Sequence, residues 1–149
     1  MSICPNGKKT RKGVPAIEPK LSGFLKYVSP LADPGELQEI LYELAKNALQ
    51  AMQKGKARVK GKLILQAQLG FSTHEEPFAL VTVADTGPGI PEEELPNLFQ
   101  PFFTTQPGEG GNGLGLYLAK QLVLNNEGKI TAASFEGFGT SFAIELPVA

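Results

Sequence analysis

Hydrophobic residues recur at helical spacing between residues 37 and 52. Leu37, Ile40, Leu41, Leu44, Ala45, Ala48 and Met52 stand three or four apart, so one stripe of a helix faces a core. Asp33-Pro34 ahead of them is a start signal, a capping acid followed by a proline whose fixed φ suits the first helical position. The period then changes to two. In "KLILQAQL", Leu63, Leu65, Ala67 and Leu69 point one way and Gln66 and Gln68 the other, as in a half-buried strand. "FALVTVAD" is a more continuously apolar strand ending at Asp85, and "GFSTHEEP" joins the two as a hairpin. A short helical turn near "PEEEL" leads into a glycine-rich loop from about Phe99 to Asn112. A second helix starts near Gly113, carries Leu114, Leu118 and Leu122 on its apolar side, and stops at "NNEG". "KITAASF" and "TSFAIELP" close the chain as strands. Residues 21–29 read as a short first strand, and residues 1–20 as a tail of turn formers and charge.

This order predicts an α+β fold. It is a two-layer α/β sandwich with about three helices on one face of a mostly antiparallel, mixed sheet. A single domain over 21–149 follows a flexible tail over 1–20, since 149 residues suffice for one core. The 14 basic and 15 acidic side chains nearly balance, which gives no electrostatic reason to expect nucleic acid. The basic cluster Lys8, Lys9, Arg11 and Lys12 reads as part of a solvated linker. One cysteine, Cys4, excludes an internal disulfide and suits a reducing compartment. No apolar run approaches the roughly 20 residues of a spanning helix. A cytoplasmic chain is therefore expected, touching a membrane only through segments upstream of it.

Three short constellations carry candidate chemistry. On the first helix Glu43 and Asn47 are four apart and lie one above the other, off the apolar stripe. An asparagine offers a neutral oxygen suited to Mg²⁺ that also holds phosphate oxygens, and a glutamate one turn away can orient a water. The plain alternative is an exposed polar face. Asp85 ends a strand and enters Thr86-Gly87-Pro88-Gly89-Ile90. A carboxylate accepts hydrogen bonds and suits the exocyclic amine of adenine, while glycines let backbone approach a flat ring. The alternative is an ordinary turn aspartate. Gly111-Asn112-Gly113-Leu114-Gly115-Leu116 opens a helix whose N–H groups favour phosphate. No strand immediately precedes these glycines and no Gly-Lys-Ser/Thr is present, which excludes dinucleotide-fold and P-loop readings.

The series is more telling than its parts. Glu43-x-x-x-Asn47, Asp85-x-Gly87-x-Gly89, Phe99-x-x-Phe102-Phe103 and Gly111-x-Gly113-x-Gly115 occur in that order, and "GFGTSFAIELP" closes the chain. Over residues 30–148 this resembles the Bergerat ATP-binding fold, and within it the catalytic domain of bacterial sensor histidine kinases. The resemblance implies ATP and Mg²⁺ as ligands. Asn47 would hold the metal and Glu43 would sit beside the γ-phosphate. Asp85 would bind the adenine amine, with Gly87, Gly89 and Ile90 shaping the pocket and Thr140 lining it. Phe99, Phe102 and Phe103 would anchor an ATP lid spanning about 99–112. Gly108, Gly110 and Gly111 would let that lid move, Gly113 and Gly115 would admit the phosphates, and Gly111 and Leu114 would also count among the nucleotide-binding residues.

The sequence departs from that family at two places that often hold cations, here Gln50 and Gln106. Lys46 neighbours Asn47 and so points about 100° away from it on a helix, which makes Lys54, two turns on, the better candidate for phosphate. The only histidine, His74, falls between strands with Pro77 close behind and reads as an exposed loop residue, not a phosphoacceptor. The resemblance therefore implies the nucleotide-binding half of a kinase. Its partners would be a histidine-bearing dimerisation domain, in cis or in trans, and a response regulator. The same fold also serves anti-sigma-type serine kinases and switch proteins, clamp ATPases of the gyrase type, mitochondrial-type protein kinases and nucleotide-sensing modules.

Overall fold

In the computed structural model, described for residues 9–10, 14–15, 32–54, 61–104 and 113–148, the capped helix α1 runs Pro34–Lys54. The Asp33 cap is as its chemistry demands: the Glu36 N–H donates to Asp33 Oδ1 at 2.8 Å. Leu37, Ile40, Leu41, Leu44, Ala45 and Ala48 are all buried, so the apolar stripe is the core face.

The strands β3 (Leu63–Phe71) and β4 (Pro77–Asp85) form the expected hairpin, with Leu65 opposite Val83. β5 (Lys129–Phe135) and β6 (Gly139–Pro147) form a second, and β4 pairs with β6 to give the order β3-β4-β6-β5. All three of these ladders are antiparallel, so among the described residues this sheet is not mixed. Alternation puts Ala79, Val81, Val83 and Asp85 on one face of β4, and Thr140, Phe142, Ile144 and Leu146 on the same face of β6. Both helices cover that face. β3 buries only Leu65 fully; its far end carries Leu69 and Phe71 into solvent.

The helix α2 spans Gly115–Asn125. Its buried residues are Ala119 and Val123, with Leu116 and Leu122 partly buried against the core. Leu118 is exposed, which corrects the stripe expected from Leu114, Leu118 and Leu122. A small residue at 119 lets α2 lie close to α1, and close approach decides which face turns inward. The two helices run antiparallel. Glu36 near the start of α1 accepts hydrogen bonds from Asn125 and Asn126 at the end of α2, at 2.7–3.0 Å.

Among the described residues two α-helices and one 3-10 turn at Leu95–Asn97, where the short helical turn near "PEEEL" was expected, accompany the sheet. Pro91, Pro96 and Pro101 recur every fifth residue here, and each lacks the N–H a continuing helix needs. The expected first strand at 21–29 lies outside the described residues. Within the expected tail, β1 (Lys9–Thr10) and β2 (Val14–Pro15) pair antiparallel. No helix among the described residues is long and apolar enough to cross a membrane.

Candidate functional site

A cavity of about 140 Å³ opens between α1, α2 and the end of the sheet where β4 stops and β6 starts. A dry apolar void of about 150 Å³ can hold one benzene ring, so the scale is that of a ring system. Glu43 and Asn47 border it from α1, Asp85 and Thr140 from the sheet, and Gly113 and Gly115 from the start of α2. Gly89, Ile90 and Phe103 complete the expected residues found there. The segment between β4 and α2 adds apolar lining through Ile90 and Leu98, and α2 adds Leu116.

Asp85 is 7% exposed and is the last residue of β4 to face the helices. The Gly87 N–H donates to its Oδ1 at 2.8 Å, and the Thr140 backbone N–H also donates to the carboxylate. Burial pushes the carboxyl above its ordinary value, and the two backbone bonds only partly oppose this. Gly87 thus acts through its amide rather than by lining the cavity. Gly89 has φ 75°, a backbone that side-chain-bearing residues rarely adopt, and a Cβ there would collide with the Phe135 carbonyl. The β5–β6 turn is fastened to this loop by the Gly137 N–H, which donates to Pro88 O at 2.6 Å.

Glu43 is not an exposed polar residue; it is 6% exposed. A Cβ on Gly115 would lie 2.5 Å from Glu43 Oε2, so the glycine is the space in which the carboxylate sits. No hydrogen bond of good geometry reaches Oε2 among the described residues, although Lys46 Nζ lies 2.8 Å away in an ion pair. Lys46 also borders the cavity and stands 5.3 Å from the Tyr42 ring centroid. Its α-carbon direction points away from Asn47, but its flexible stem folds back one turn to Glu43. Lys46 is therefore the described cation at the cavity. Lys54 ends α1, and its side chain lies outside the described residues, as do Gln106 and Gly111. Gln50, at the other departure from the family pattern, borders the cavity.

The aromatics divide. Phe99 and Phe103 pack against the core, Phe99 edge-on to Phe142 with centroids 6.1 Å apart. Phe102 is 74% exposed with φ 65°, so it anchors nothing here. Its N–H donates to Gly113 O at 2.9 Å, which joins the two described ends of the expected lid; the lid's centre, 105–112, lies outside the described residues. Leu114 is the N-cap residue of α2 and does not line the cavity. His74 sits exposed in the β3–β4 turn, remote in sequence and strand end from Asp85. Ser134, which the sequence pattern does not single out, bonds both the Gly89–Ile90 turn and Thr140.

The donor set suits a nucleotide carrying its own metal. A buried carboxylate oxygen lacking a hydrogen bond, a helix start without a Cβ and a neutral amide oxygen at Asn47 are all at hand. No group of three or more His, Cys, Asp and Glu among the described residues could hold a metal by itself. Mg²⁺ commonly takes few protein ligands and completes its shell with phosphates and waters.

A family model described as histidine kinase-, DNA gyrase B-, and HSP90-like ATPase matches residues 32–149. The sensory histidine kinase/phosphatase NtrB of Escherichia coli O157:H7 is 36% identical over 78% of this chain, which covers 33% of that protein. The autoinducer 2 sensor kinase/phosphatase LuxQ of Vibrio parahaemolyticus is 34% identical over 98% of this chain and 16% of its own length. The chain thus spans a third or less of these two relatives. Among solved structures, the nucleotide-free catalytic domain of the histidine kinase ThkA matches with a TM-score of 0.62 and 32% identity, over 78% of this chain and 69% of that one. The mycobacterial sensor histidine kinase MprB matches with a TM-score of 0.62 and 28% identity, over 78% and 73%.

Proposed function

This chain belongs to the histidine kinase-, DNA gyrase B- and HSP90-like ATPase family, and from that membership we propose that its cavity binds Mg·ATP and serves phosphoryl transfer to a histidine. The acceptor would lie on a separate dimerisation domain, in cis or in trans, with a response regulator downstream. The observation that carries the reading is the meeting of Glu43, Asn47, Asp85, Thr140 and the start of α2 around one cavity.

Asp85 would accept a hydrogen bond from the adenine amine, held in place by two backbone N–H groups. Asn47 would hold the magnesium, which supplies charge neutralisation to the phosphates. The start of α2, which borders the cavity at Gly113 and Gly115, would receive phosphate oxygens. Glu43 would orient the incoming group, and Lys46 would exchange its ion pair with Glu43 for a phosphate oxygen. Catalysis would consist mainly of positioning and charge compensation.

Calorimetry with ATP and GTP, with and without Mg²⁺, tests the binding half. Tight, Mg²⁺-dependent ATP binding and weak GTP binding are expected; equal affinities reject the adenine site. Radiolabelled ATP with a histidine-bearing dimerisation domain tests the transfer half. An acid-labile, base-stable phosphoprotein is expected, whereas phosphoserine or steady hydrolysis without an acceptor would favour the serine-kinase or clamp-ATPase alternatives.

A further inference from the structure

Ser134 on β5 stands opposite Thr140 on β6 and makes three hydrogen bonds. The Ile90 N–H donates to its Oγ at 2.8 Å, its hydroxyl donates to Gly139 O at 3.0 Å, and Thr140 Oγ1 lies 2.9 Å from it. A serine hydroxyl has one proton and two lone pairs. A carbonyl cannot donate, so the proton goes to Gly139. An N–H cannot accept, so one lone pair goes to Ile90. The contact with Thr140 must then be one in which the threonine donates.

We infer that Ser134 is a specificity-determining residue: by holding the Thr140 proton, it leaves Thr140 Oγ1 able only to accept, beside the Asp85 carboxylate. The inference rests on the reading of the cavity as a purine site. An ionised carboxylate also only accepts. Thr140 and Asp85 both border the cavity, and the Thr140 backbone N–H bonds Asp85 directly. Two acceptors side by side favour a base edge that carries an amine and disfavour one that carries a carbonyl. A free threonine hydroxyl would blunt that choice, because it can turn its proton toward a carbonyl. Ser134 removes the option, and through Ile90 it holds the neighbouring loop in register with the same atom.

The test compares ATP with inosine triphosphate, which has a carbonyl where adenine has its amine. Affinities are measured by calorimetry for the wild type, Ser134→Ala and Ser134→Thr, with circular dichroism to confirm folding. The wild type should prefer ATP, and the ATP-to-inosine ratio should fall about 10-fold in Ser134→Ala, the scale of one hydrogen bond redirected. Ser134→Thr, which keeps the hydroxyl, should retain the ratio. Equal losses for both nucleotides in Ser134→Ala, or the same collapse in Ser134→Thr, would overturn the inference and leave Ser134 as a fastening for the loop. If Ser134→Ala does not fold, Thr140→Val replaces it; its ratio should also narrow, and an unchanged ratio overturns the inference. A wild type that binds neither nucleotide rejects the purine site itself, which separates that failure from this one.

Discussion

Asp85 combines two costs that pull in opposite directions. Burial raises its pKa, so the folded protein binds that proton more tightly than the unfolded chain does. Stability from this residue is complete below the unfolded value of 3.8 and is lost as pH rises through the higher folded value. Above that folded value the ligand-free domain carries a destabilising charge. Asp85→Asn should raise the melting temperature of the ligand-free protein at pH 8, with the gain shrinking toward pH 4. The same variant should bind ATP about 100-fold more weakly, since a charge-assisted bond is lost. Melts across pH and calorimetry check the two halves; a lower melting temperature at pH 8 would deny the burial penalty. Gly115 offers a second test. Alanine is favoured over glycine in a helix by about 1 kcal/mol. Here the added Cβ meets Glu43 Oε2, so Gly115→Ala should instead destabilise by about 1–3 kcal/mol in urea melts, the usual scale of overpacking. A stabilised variant would mean that Glu43 does not sit where it is described. Asp85 and Glu43 were both singled out in the sequence, and both are buried at the border of one cavity. The position of Lys46 was not legible there, because a long flexible stem is not fixed by the direction of its α-carbon. Ser134 was hidden for another reason: a serine on a strand gains meaning only once its cross-strand partner is known.

Periodicity made the elements legible wherever one face is buried and the other is wet. α1 obeys its period closely: of the stripe the pattern names, Leu37, Ile40, Leu41, Leu44, Ala45 and Ala48 are buried and Met52 is half-buried, while β4, read as continuously apolar, alternates in burial. α2 shows where that breaks down. Leucines at 114, 118 and 122 share a face by spacing, yet Ala119 and Val123 are the residues brought to zero exposure. Helix packing selects for close approach, and periodicity does not record side-chain size. Val123→Ala should cost roughly 1.5–3 kcal/mol, the worth of burying a valine, whereas Leu118→Ala should change stability by no more than about 0.5 kcal/mol. Chemical denaturation of the two variants decides it, and a reversed order would turn the helix back to its leucine face. The expected turn near "PEEEL" stays a single 3-10 turn for a local reason: Pro96 and Pro101 lack the N–H that a continuing helix needs.

At the scale of the molecule, the one histidine of the sequence stands apart from the pocket. His74 lies exposed in the β3–β4 turn, with Nδ1 3.3 Å from the neighbouring Thr73 hydroxyl. His74→Ala should leave both ATP affinity and labelling of a dimerisation domain unchanged, as filter-bound radioactivity will show; lost labelling would make it the acceptor. The tie between Glu36 and the two asparagines at the far end of the helices lies well away from the cavity. It makes the helix pair resemble tongs riveted at the handle. Any widening of the jaws at Glu43 and Gly115 must swing about that rivet. Severing it with Glu36→Ala would touch no atom of the pocket, yet it should let nucleotide depart sooner.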